Sequence, residues 1–276
     1  MSLELSDLPP LRDVIARHDI RATKALGQNF LLDMNLTRKI ARAGGDLTGK
    51  TVLEIGPGPG GLTRALLAEG AHHVVAVERD RRCLAALEEL AEHAQGRLTL
   101  VEADALKIDE YALTPRPSRI VANLPYNIST PLLFKWLGRL EMFEHMVLMF
   151  QREVAQRIAA PAGGKAYGRL SVMTQWRCRA RALFDVPPRA FTPAPKVTST
   201  IVGLEPRPAP LAEAKAEVLE AVVAAAFGQR RKMLRSSLRQ ISADPIALLW
   251  AAGLEPTLRA ENLTVEQFCA LARAMG

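Results

Sequence analysis

A glycine-rich turn between two apolar segments constrains the fold of this chain most. Residues 51–55 (TVLEI) are mostly apolar and partly β-branched, residues 56–61 read Gly-Pro-Gly-Pro-Gly-Gly, and residues 62–67 (LTRALL) have a helical composition. A strand, a glycine loop and a helix in this order form the nucleotide-binding start of a parallel α/β sheet. Glycines at such a turn let main-chain amides approach a ligand closely. The sequence therefore predicts an α/β fold of the Rossmann type.

Four predicted strands in succession end in glycine or in a polar residue that can bind a nucleotide. The strand ends are Gly56, Glu78, Asp104 and Asn123. Ligands of open α/β sheets bind at the carboxyl edge of the strands. Glu78 lies where an acid binds the hydroxyls of a ribose, and Asp104 is placed to accept from an adenine amine. A surface glutamate and a turn aspartate are the simpler alternatives.

The fourth of these strands runs into Asn123-Leu124-Pro125-Tyr126. Pro125 has no N–H and favours an extended Leu124, so the Leu124 carbonyl can point out of the sheet as a free acceptor. The Asn123 side chain offers a second acceptor, and Tyr126 offers a flat face. Two acceptors beside an aromatic ring suit a planar amine such as that of adenine. An ordinary turn after the strand is the alternative.

The cofactor follows from what the strand ends can and cannot do. A glycine loop with an acid after the second strand fits NAD(H), FAD or S-adenosylmethionine, but no residue is placed to receive a hydride. The Asn123–Tyr126 segment instead favours methyl transfer to an amine, because acceptors on the two amine hydrogens free the nitrogen lone pair. A base inside a helix cannot reach such a pocket, so the target must be unpaired or flipped out.

Composition limits the setting and the partners. The chain has 36 Lys and Arg against 29 Asp and Glu, a net charge of +7, and a sequence pI near 9.6. Such a protein commonly has a polyanionic partner, although a generally basic surface gives the same total. There is no apolar run of about 18 residues, and the three cysteines are widely spaced. The first residues lack a basic segment followed by an apolar one, so we expect no secretory signal. We expect a cytoplasmic protein that crosses no membrane, and a monomer because no exposed apolar stripe is obvious.

Three other segments carry more open interpretations. Residues 1–22 are predicted to form a lead-in helix, and Gln28-Asn29 after Gly27 either caps a helix or faces a ligand. Residues 170–184 alternate and predict a strand whose one face carries Arg177, Arg179 and Arg181. The role of that basic face is open between a solvated surface and RNA contact. Phe191 is either a second aromatic plate or a core anchor.

The C-terminal part is predicted to be helical and basic. Residues 206–210 (PRPAP) form a linker, which divides the chain into an α/β domain over 1–205 and an all-helical domain over 206–276. Arg231, Arg235 and Arg239 recur every four residues and predict a cationic ridge on one helix. With Arg230 and Lys232 they form a basic set free of acids, which favours contact with RNA phosphates over a merely solvated face.

Together these motifs resemble one family over nearly the whole chain. The matching segments are LGQNFL (26–31), EIGPGPGGLT (54–63), VERD (77–80), EADAL (102–106), NLPYNISTPLL (123–133), FQREVAQR (150–157), FTPAPKV (191–197), FGQRRKML (227–234) and ENL (261–263). They are similar to the small-subunit ribosomal RNA adenine dimethyltransferases, the KsgA/RsmA family. No departure from the family pattern is found in these motifs.

The resemblance implies a specific reaction and a specific set of residues. Family members transfer four methyl groups from S-adenosyl-L-methionine to two adjacent adenosines in a hairpin loop near the 3′ end of 16S rRNA, late in 30S assembly. The resemblance assigns catalysis to the Asn123–Tyr126 motif, with Phe191 as a stacking ring. The cofactor contacts that it implies are Gln28, Asn29, Leu31, Gly56, Gly58, Glu78, Asp104 and Asn123.

Two rival functions stay open at this point. One is the sister family that methylates 23S rRNA and confers macrolide resistance. The other is a binding factor that keeps the fold as an assembly checkpoint without turnover. The NLPYNISTPLL segment and the basic C-terminal helices favour the 16S enzyme over the first rival. The intact glycine loop, Glu78 and the Asn123–Tyr126 motif argue against lost catalysis.

Overall fold

The computed structural model describes residues 8–115 and 118–276. Residue contacts divide the chain into two compact units. The first unit runs up to Arg152 and includes Arg181–Glu205, and the second comprises Glu153–Ala180 and Pro206–Gly276. The boundaries between the two units fall inside one helix (Arg152–Ala159) and inside two strands (Cys178–Val186 and Ser199–Pro206). Each unit is therefore best described by its own elements.

A seven-stranded sheet is the central element. The strands are β1 (Phe30–Leu31), β2 (Thr51–Ile55), β3 (His73–Glu78), β4 (Leu98–Glu102), β5 (Ser118–Ala122), β6 (Phe143–Gln151), β7 (Cys178–Val186), β8 (Phe191–Thr192) and β9 (Ser199–Pro206). The order in the sheet is β4-β3-β2-β5-β6-β9-β7, and β1 pairs with β8 in a separate two-stranded ribbon. Strands β2 to β6 pair in parallel, whereas β9 is antiparallel to β6.

Helices flank the sheet strands and make up most of the C-terminal part. They are α1 (Leu11–Arg17), α2 (Met34–Ala43), α3 (Gly61–Ala68), α4 (Arg81–His93), α5 (Glu110–Leu113), α6 (Tyr126–Leu137), α7 (Arg152–Ala159), α8 (Arg169–Arg177), α9 (Ala216–Gly228), α10 (Leu234–Ser237), α11 (Pro245–Ala251) and α12 (Val265–Met275). Short 3-10 turns occur at Lys24–Leu26, Leu140–Met142, Pro188–Ala190, Leu238–Gln240 and Ala260–Asn262. In the described residues, no helix is both long and apolar enough to cross a membrane.

The predicted α/β fold is confirmed, and its physical basis is local. All five residues of β2 are buried, as expected for a strand covered on both faces. Helices α2 and α4 begin at Asp33 and Asp80, whose side chains accept hydrogen bonds from amides of the first turn. Helix α3 begins after Gly60, whose φ of 94° is open to glycine. Because β4, β3, β2 and β5 are adjacent and parallel, their carboxyl ends are neighbours along one edge of the sheet.

The expected domain division at residue 205 stays a prediction, although Glu153–Ala180 group with the C-terminal residues. The reason is that α8 packs against α9 and α12. Three aromatic rings cluster in this unit, of which Tyr167 and Phe268 are buried and Phe227 is half-buried. Between centroids, Tyr167 and Phe227 are 5.9 Å apart, and Phe227 and Phe268 are 5.6 Å apart. The second unit is helical apart from the strand residues at the ends of its segments.

The prediction of one strand over residues 170–184 is wrong. Residues 169–177 form α8, and β7 begins only at Cys178. Val172 and Trp176 are buried at a spacing of four, which satisfies both a two-residue and a helical repeat. Arg177 consequently ends a helix, its guanidinium lying 5.4 Å from the centre of the Trp176 ring, while Arg179 and Arg181 are exposed on β7.

The lead-in helix is shorter than the predicted range of 1–22. Residues 1–7 lie outside the described part of the chain, and α1 covers only Leu11–Arg17. Pro10 sits at the N-cap with an extended ψ of 135°. Asp19 has a φ of 44°, which a continuing helix does not permit, so the helical conformation ends before it.

Candidate active site

One cavity at the carboxyl edge of the sheet collects the residues that the sequence assigns to cofactor and catalysis. All of it is formed by the first unit. It is lined by Gln28, Asn29, Leu31, Gly56, Gly58, Glu78, Asp104, Asn123, Leu124, Pro125, Tyr126 and Phe191, among others. Their convergence follows from strand order, because β4, β3, β2 and β5 present Asp104, Glu78, the glycine loop and Asn123 in sequence along the edge.

The glycine loop fits tightly between two walls. Gly56 and Gly58 have φ values of 66° and 56°, and the Gly56 amide donates to the Val77 carbonyl at 2.9 Å. A Cβ on Gly58 would lie 3.0 Å from the ring of Phe30, and one on Gly56 would lie 3.3 Å from Pro125 Cδ. Side chains at these positions would therefore be strained as well as crowded. The loop presents main chain, rather than side chains, to the cavity.

Glu78 is held in place by three main-chain amides. Its Oε2 accepts from Gly58 N at 3.1 Å, and its Oε1 accepts from Arg79 N and Asp80 N at 2.8 and 2.9 Å. Burial raises the pKa of this carboxyl, and the three hydrogen bonds oppose that rise. The carboxylate is thus fixed at the end of β3 and tied to the glycine loop. This is the position expected of an acid that binds ribose hydroxyls.

Asp104 is a turn aspartate, and its predicted contact with an adenine amine stays a prediction. Its Oδ1 accepts from Leu106 N at 3.1 Å, and its carbonyl accepts from Lys107 N at 2.8 Å, so it closes a turn. It also lines the cavity, next to Ala103 and Ala105. Asp104 therefore closes the turn after β4 and lines the cavity at the same time.

The Asn123 amide has a defined orientation. Its Nδ2 donates to the Asn29 carbonyl at 3.3 Å, which leaves Oδ1 as the atom able to accept from a ligand. Pro125 precedes α6 as its N-cap, and its carbonyl accepts from Ile128 N at 3.1 Å. Helix α6 begins at Tyr126, directly after the extended Pro125 with its ψ of 130°.

Two aromatic residues border the same cavity. Tyr126 Oη lies 2.6 Å from Ser199 Oγ, which fixes the ring on the first turn of α6. Burial raises the pKa of the Tyr126 phenol, and the bond to Ser199 partly opposes this. Phe191 pairs in register with Leu31 and is only 4% exposed, within the main apolar core. Phe191 is therefore a core residue that also borders the cavity.

The segment before β1 reaches the cavity in a way that sequence did not specify. The Gln28 side chain is engaged by the protein, since its Oε1 accepts from Thr23 N and its Nε2 donates to Asp80 Oδ2, both at 2.9 Å. Asn29 Nδ2 donates to the Gly27 carbonyl at 3.3 Å. A Cβ on Gly61 would lie 2.5 Å from the Leu31 carbonyl, so β1 presses against the start of α3. The helix-cap alternative for Gln28-Asn29 is wrong, because Asp33 caps α2.

Sequence reasoning missed some of the residues around the cavity. Glu54, Leu106 and Asn127 also line it. Asn127 lies close to the main chain before β1, since a Cβ on Gly27, whose φ is 65°, would lie 3.0 Å from Asn127 Oδ1. That proximity has no counterpart in the sequence. Glu54 stood inside an apolar strand, where an acid is unusual. Among the described residues, no group of three or more His, Cys, Asp or Glu is arranged to hold a metal ion.

The predicted RNA-binding cations lie in the second unit and do not form one helical ridge. Helix α9 ends at Gly228, so Arg231 lies in the turn that follows, Arg235 lies on α10, and Arg239 lies in a 3-10 turn. Gln229, with φ of −125° and ψ of 53°, breaks the helix that a four-residue repeat predicted. Arg230 is paired with Glu261 at 2.9 Å, whereas Arg231, Lys232, Arg235 and Arg239 are exposed.

Comparison with known proteins bears on the class. The family model for "Ribosomal RNA adenine dimethylase" matches residues 20–275. A Rhodospirillum rubrum protein named ribosomal RNA small subunit methyltransferase A is 61% identical over 268 residues, covering 97% of this chain and 93% of its own length. One of the same name from Paracoccus denitrificans is 58% identical over 274 residues, covering 98% and 97%.

Two solved structures are similar at lower identity. A dimethyladenosine transferase from Plasmodium falciparum superposes with a TM-score of 0.75 at 26% identity, covering 88% of this chain and 95% of its own. The 23S rRNA methyltransferase ErmE superposes with a TM-score of 0.68 at 29% identity, covering 90% and 99%.

A parallel sheet with a glycine loop, a fixed acid after β3 and an amide acceptor after β5 defines an S-adenosylmethionine-dependent methyltransferase. The matches over nearly the full length then give the particular family. The chain belongs to the ribosomal RNA adenine dimethylase family, as its motifs predicted. The expected enzyme class and cofactor are thereby confirmed.

Proposed function

We propose that this enzyme methylates the exocyclic amines of two adjacent adenosines in a 3′-terminal hairpin loop of 16S rRNA, and dimethylates each. It acts on the 30S particle or its precursor, in small-subunit biogenesis. The observation that carries the proposal is the Asn123 amide, whose Nδ2 is engaged by the Asn29 carbonyl so that Oδ1 is left to accept. The relatives' name, small subunit methyltransferase, supports 16S over 23S rRNA.

The residues that line the cavity fit the chemistry of the cofactor. The positive-φ glycines leave a cradle that a Cβ would fill, and Glu78 and Asp104 occupy the neighbouring strand ends. Glu78 binds the ribose hydroxyls, Asp104 binds the adenine amine, and Gly56, Gly58 and the segment Gln28–Leu31 contribute main chain. The bound cofactor supplies an activated methyl group on a sulfonium. Gln28 takes part through its main chain, because its side chain is already bonded to Thr23 and Asp80.

The catalytic motif prepares the target amine. Asn123 Oδ1 and the Leu124 carbonyl accept the two amine hydrogens, which weakens conjugation of the lone pair with the ring. Tyr126 stacks on the adenine and aligns the nitrogen for in-line attack. Phe191 supports the base from the second aromatic position, at a site where it is also anchored in the core. The adenine must leave its own stack to enter, so a loop nucleotide is the natural target.

The second unit supplies binding to the particle. Arg231, Lys232, Arg235 and Arg239 are exposed, and salt bridges within the described residues do not engage them. They contact RNA phosphates, which position the enzyme without reading sequence. Arg230 holds Glu261 and the Gly164 carbonyl, so it shapes this surface as well as adding charge. Residues 206–276 form the RNA-binding domain in this proposal, and the enzyme works in the cytoplasm as a monomer.

Tritiated methyl transfer tests the proposal directly. The substrate is 30S subunits that lack the dimethylated adenines, and protein-free 23S rRNA is the comparison substrate. We expect incorporation near four methyl groups per 30S subunit, little on 23S rRNA, and a loss of about a hundredfold or more in rate for Asn123→Ala. Methylation of 23S rRNA alone would indicate the sister activity, and 30S binding without any incorporation would indicate a non-catalytic assembly factor.

A further inference from the structure

Helix α11, in the second unit, has an uncovered apolar face. Its sequence, PIALLWA, contains no charged residue. Leu248 and Leu249 are buried, whereas Ile246 and Trp250 are 46% and 54% exposed, the highest values of any large apolar side chain in the described residues. Ile246 and Trp250 are four residues apart and therefore share one side of the helix. A surface helix normally carries polar residues on its outer face, so this face is a candidate contact surface.

A basic depression adjoins this face in the same unit. Its lining includes Arg235, Arg239, Ser242, Asp244 and Ile246. Arg235 and Arg239 are exposed, and no salt bridge or hydrogen bond among the described residues occupies either guanidinium. The Asp244 carboxylate is already used, because its Oδ1 accepts from Ala247 N at 3.0 Å and caps α11. The depression thus offers two unpaired cations beside an apolar helix face.

An exposed aromatic ring near unpaired arginines has the chemistry that holds single-stranded RNA. Bases stack on such a ring, and cationic side chains contact the phosphates that flank the base. Long side chains on a helix lean toward its N-terminus, which favours a Trp250 ring that extends toward Ile246 and the depression. A nucleotide with its base on Trp250 then has its backbone on the side of the two arginines.

The charges disfavour the other possible occupants of this face. In a two-fold dimer the surface meets its own copy, so Arg235 and Arg239 of the two copies would approach each other with no counter-ion. An apolar protein surface would take water from both guanidiniums without pairing them, which costs free energy. A polyanion with flat, unpaired bases matches the apolar part and the cationic part together.

We propose that this surface binds an unpaired nucleotide of the ribosomal RNA, with the base stacked on Trp250 and a phosphate held by Arg235 and Arg239. Stacking accepts any base, so the contact positions the RNA without reading its sequence. It adds an aromatic anchor to the phosphate contacts proposed above. The inference rests on the proposed function, since the RNA is the one that the enzyme methylates.

Three substitutions of Trp250 test the stacking, with affinity for 30S subunits that lack the dimethylated adenines as the readout. Trp250→Phe keeps an aromatic ring, Trp250→Leu keeps only apolar surface, and Trp250→Ala removes both. We expect Trp250→Phe to bind within about twofold of wild type, and the other two about tenfold more weakly. Wild-type affinity in Trp250→Leu, with a loss only in Trp250→Ala, would indicate an apolar protein partner and would overturn the proposal.

The salt dependence of the same binding separates the base from the phosphate. Trp250→Ala removes no phosphate contact, so its slope of log affinity against log salt should equal that of wild type. Arg239→Ala should make the slope shallower by about 0.7. Leu183→Ala removes a 42% exposed apolar side chain from the first unit and should bind as wild type. An equal loss in Leu183→Ala and Trp250→Ala would mean that general apolar surface, and not this contact, matters.

The fluorescence of Trp250 gives a readout without the ribosome. The chain has three tryptophans, and Trp136 and Trp176 are 0% and 3% exposed, so acrylamide quenches mainly Trp250. A short oligoadenylate should protect Trp250 from acrylamide, whereas an abasic oligomer with the same number of phosphates should not. Protection by neither oligomer, or by both equally, would contradict stacking. Protection that rises with protein concentration in the absence of RNA would show that a second copy covers the face.

A methylation assay distinguishes failure of this inference from failure of the proposed function. Wild type that neither binds nor methylates 30S subunits would remove both. Wild type that binds and methylates them, together with unchanged binding by Trp250→Ala, would remove the stacking contact alone. Cofactor affinity should be the same in every variant, because none of the substituted residues lines the cavity.

Discussion

The sheet-edge cavity and the basic segment Gln229–Gln240 hold their charges in opposite ways. In the cavity, acids such as Glu54 and Glu78 are at most 6% exposed and are surrounded by strands and a glycine loop. In the basic segment, Arg231, Lys232, Arg235 and Arg239 are exposed. The first arrangement fixes each charge against a few atoms, whereas the second leaves long side chains free to meet a partner.

The difference predicts how each region responds to solution conditions. A buried carboxyl is little screened by salt but is sensitive to pH, because desolvation moves its pKa toward neutrality. An exposed arginine stays charged at any ordinary pH, and its contacts weaken as salt rises. Properties that depend on the cavity should therefore change with pH, and binding through the basic segment should weaken as ionic strength rises.

The largest effect should be the pH dependence of stability at Glu54. The pKa of Glu54 is raised to about 8 in the folded protein, so the folded state holds this proton more tightly than the unfolded chain. The stability that the proton contributes is full below about pH 4.5 and is lost as pH rises toward 8. Relative to Glu54→Gln, the wild type without cofactor should lose about 3 kcal/mol of unfolding free energy between pH 4.5 and 7.

Urea denaturation of both proteins across this pH range measures the difference. Glu78, whose pKa is also raised by burial, is common to both and cancels in the comparison. A stability difference that does not change with pH would mean that Glu54 is ionised in the folded protein. The expectation that the cavity is sensitive to pH would then be wrong for Glu54, the more buried of its two acids.

The second effect should appear in cofactor affinity when Glu78 is removed. Under the proposed function, Glu78→Ala removes the hydrogen bonds to the ribose, and it also leaves the Gly58 amide without its acceptor. We expect weakening on the order of 1–3 kcal/mol, measured by calorimetry at low and at high salt with little difference between them. Glu102 is a matched control, because it pairs in register with Glu78 but bonds to Arg81 on the surface. Affinity unchanged in Glu78→Ala, or equally reduced in Glu102→Ala, would remove Glu78 from the site.

The cavity could be predicted from sequence because its chemistry sits at element boundaries. Strands β2 and β3 have runs of apolar residues that end at Gly56 and Glu78, and a parallel sheet brings such ends to one edge. The position of each functional residue along the chain therefore fixed its place in space. What could not be predicted is the direction of an amide or carboxyl, such as the engagement of Asn123 Nδ2 by Asn29, 94 residues away.

The basic and alternating segments could not be predicted as well, because their periods are ambiguous. Val172 and Trp176 are four residues apart, and residues at this spacing share one face of a strand as well as one side of a helix. Arg231, Arg235 and Arg239 also fit a helix by spacing, but the chain breaks after Gly228 and forms a turn. An exposed arginine is tolerated both in a helix and in a turn, so these residues do not themselves indicate which conformation the chain adopts. Glu54 did carry a signal, because an acid is unusual inside an apolar strand, but that signal does not say what the acid contacts.

The smallest effect in free energy, and the one most specific to the surface, should be the salt dependence of RNA binding. Arg231→Ala with Arg235→Ala removes two exposed cations of the basic segment. The slope of log affinity for 30S subunits against log salt should become shallower by roughly 1.4–1.8, with cofactor affinity unchanged. The control is Arg42→Ala with Arg81→Ala, which removes the same charge from residues already paired with Glu69 and Glu102. If both double variants shift the slope equally, total charge rather than this segment binds the RNA, and the surface half of the contrast is wrong.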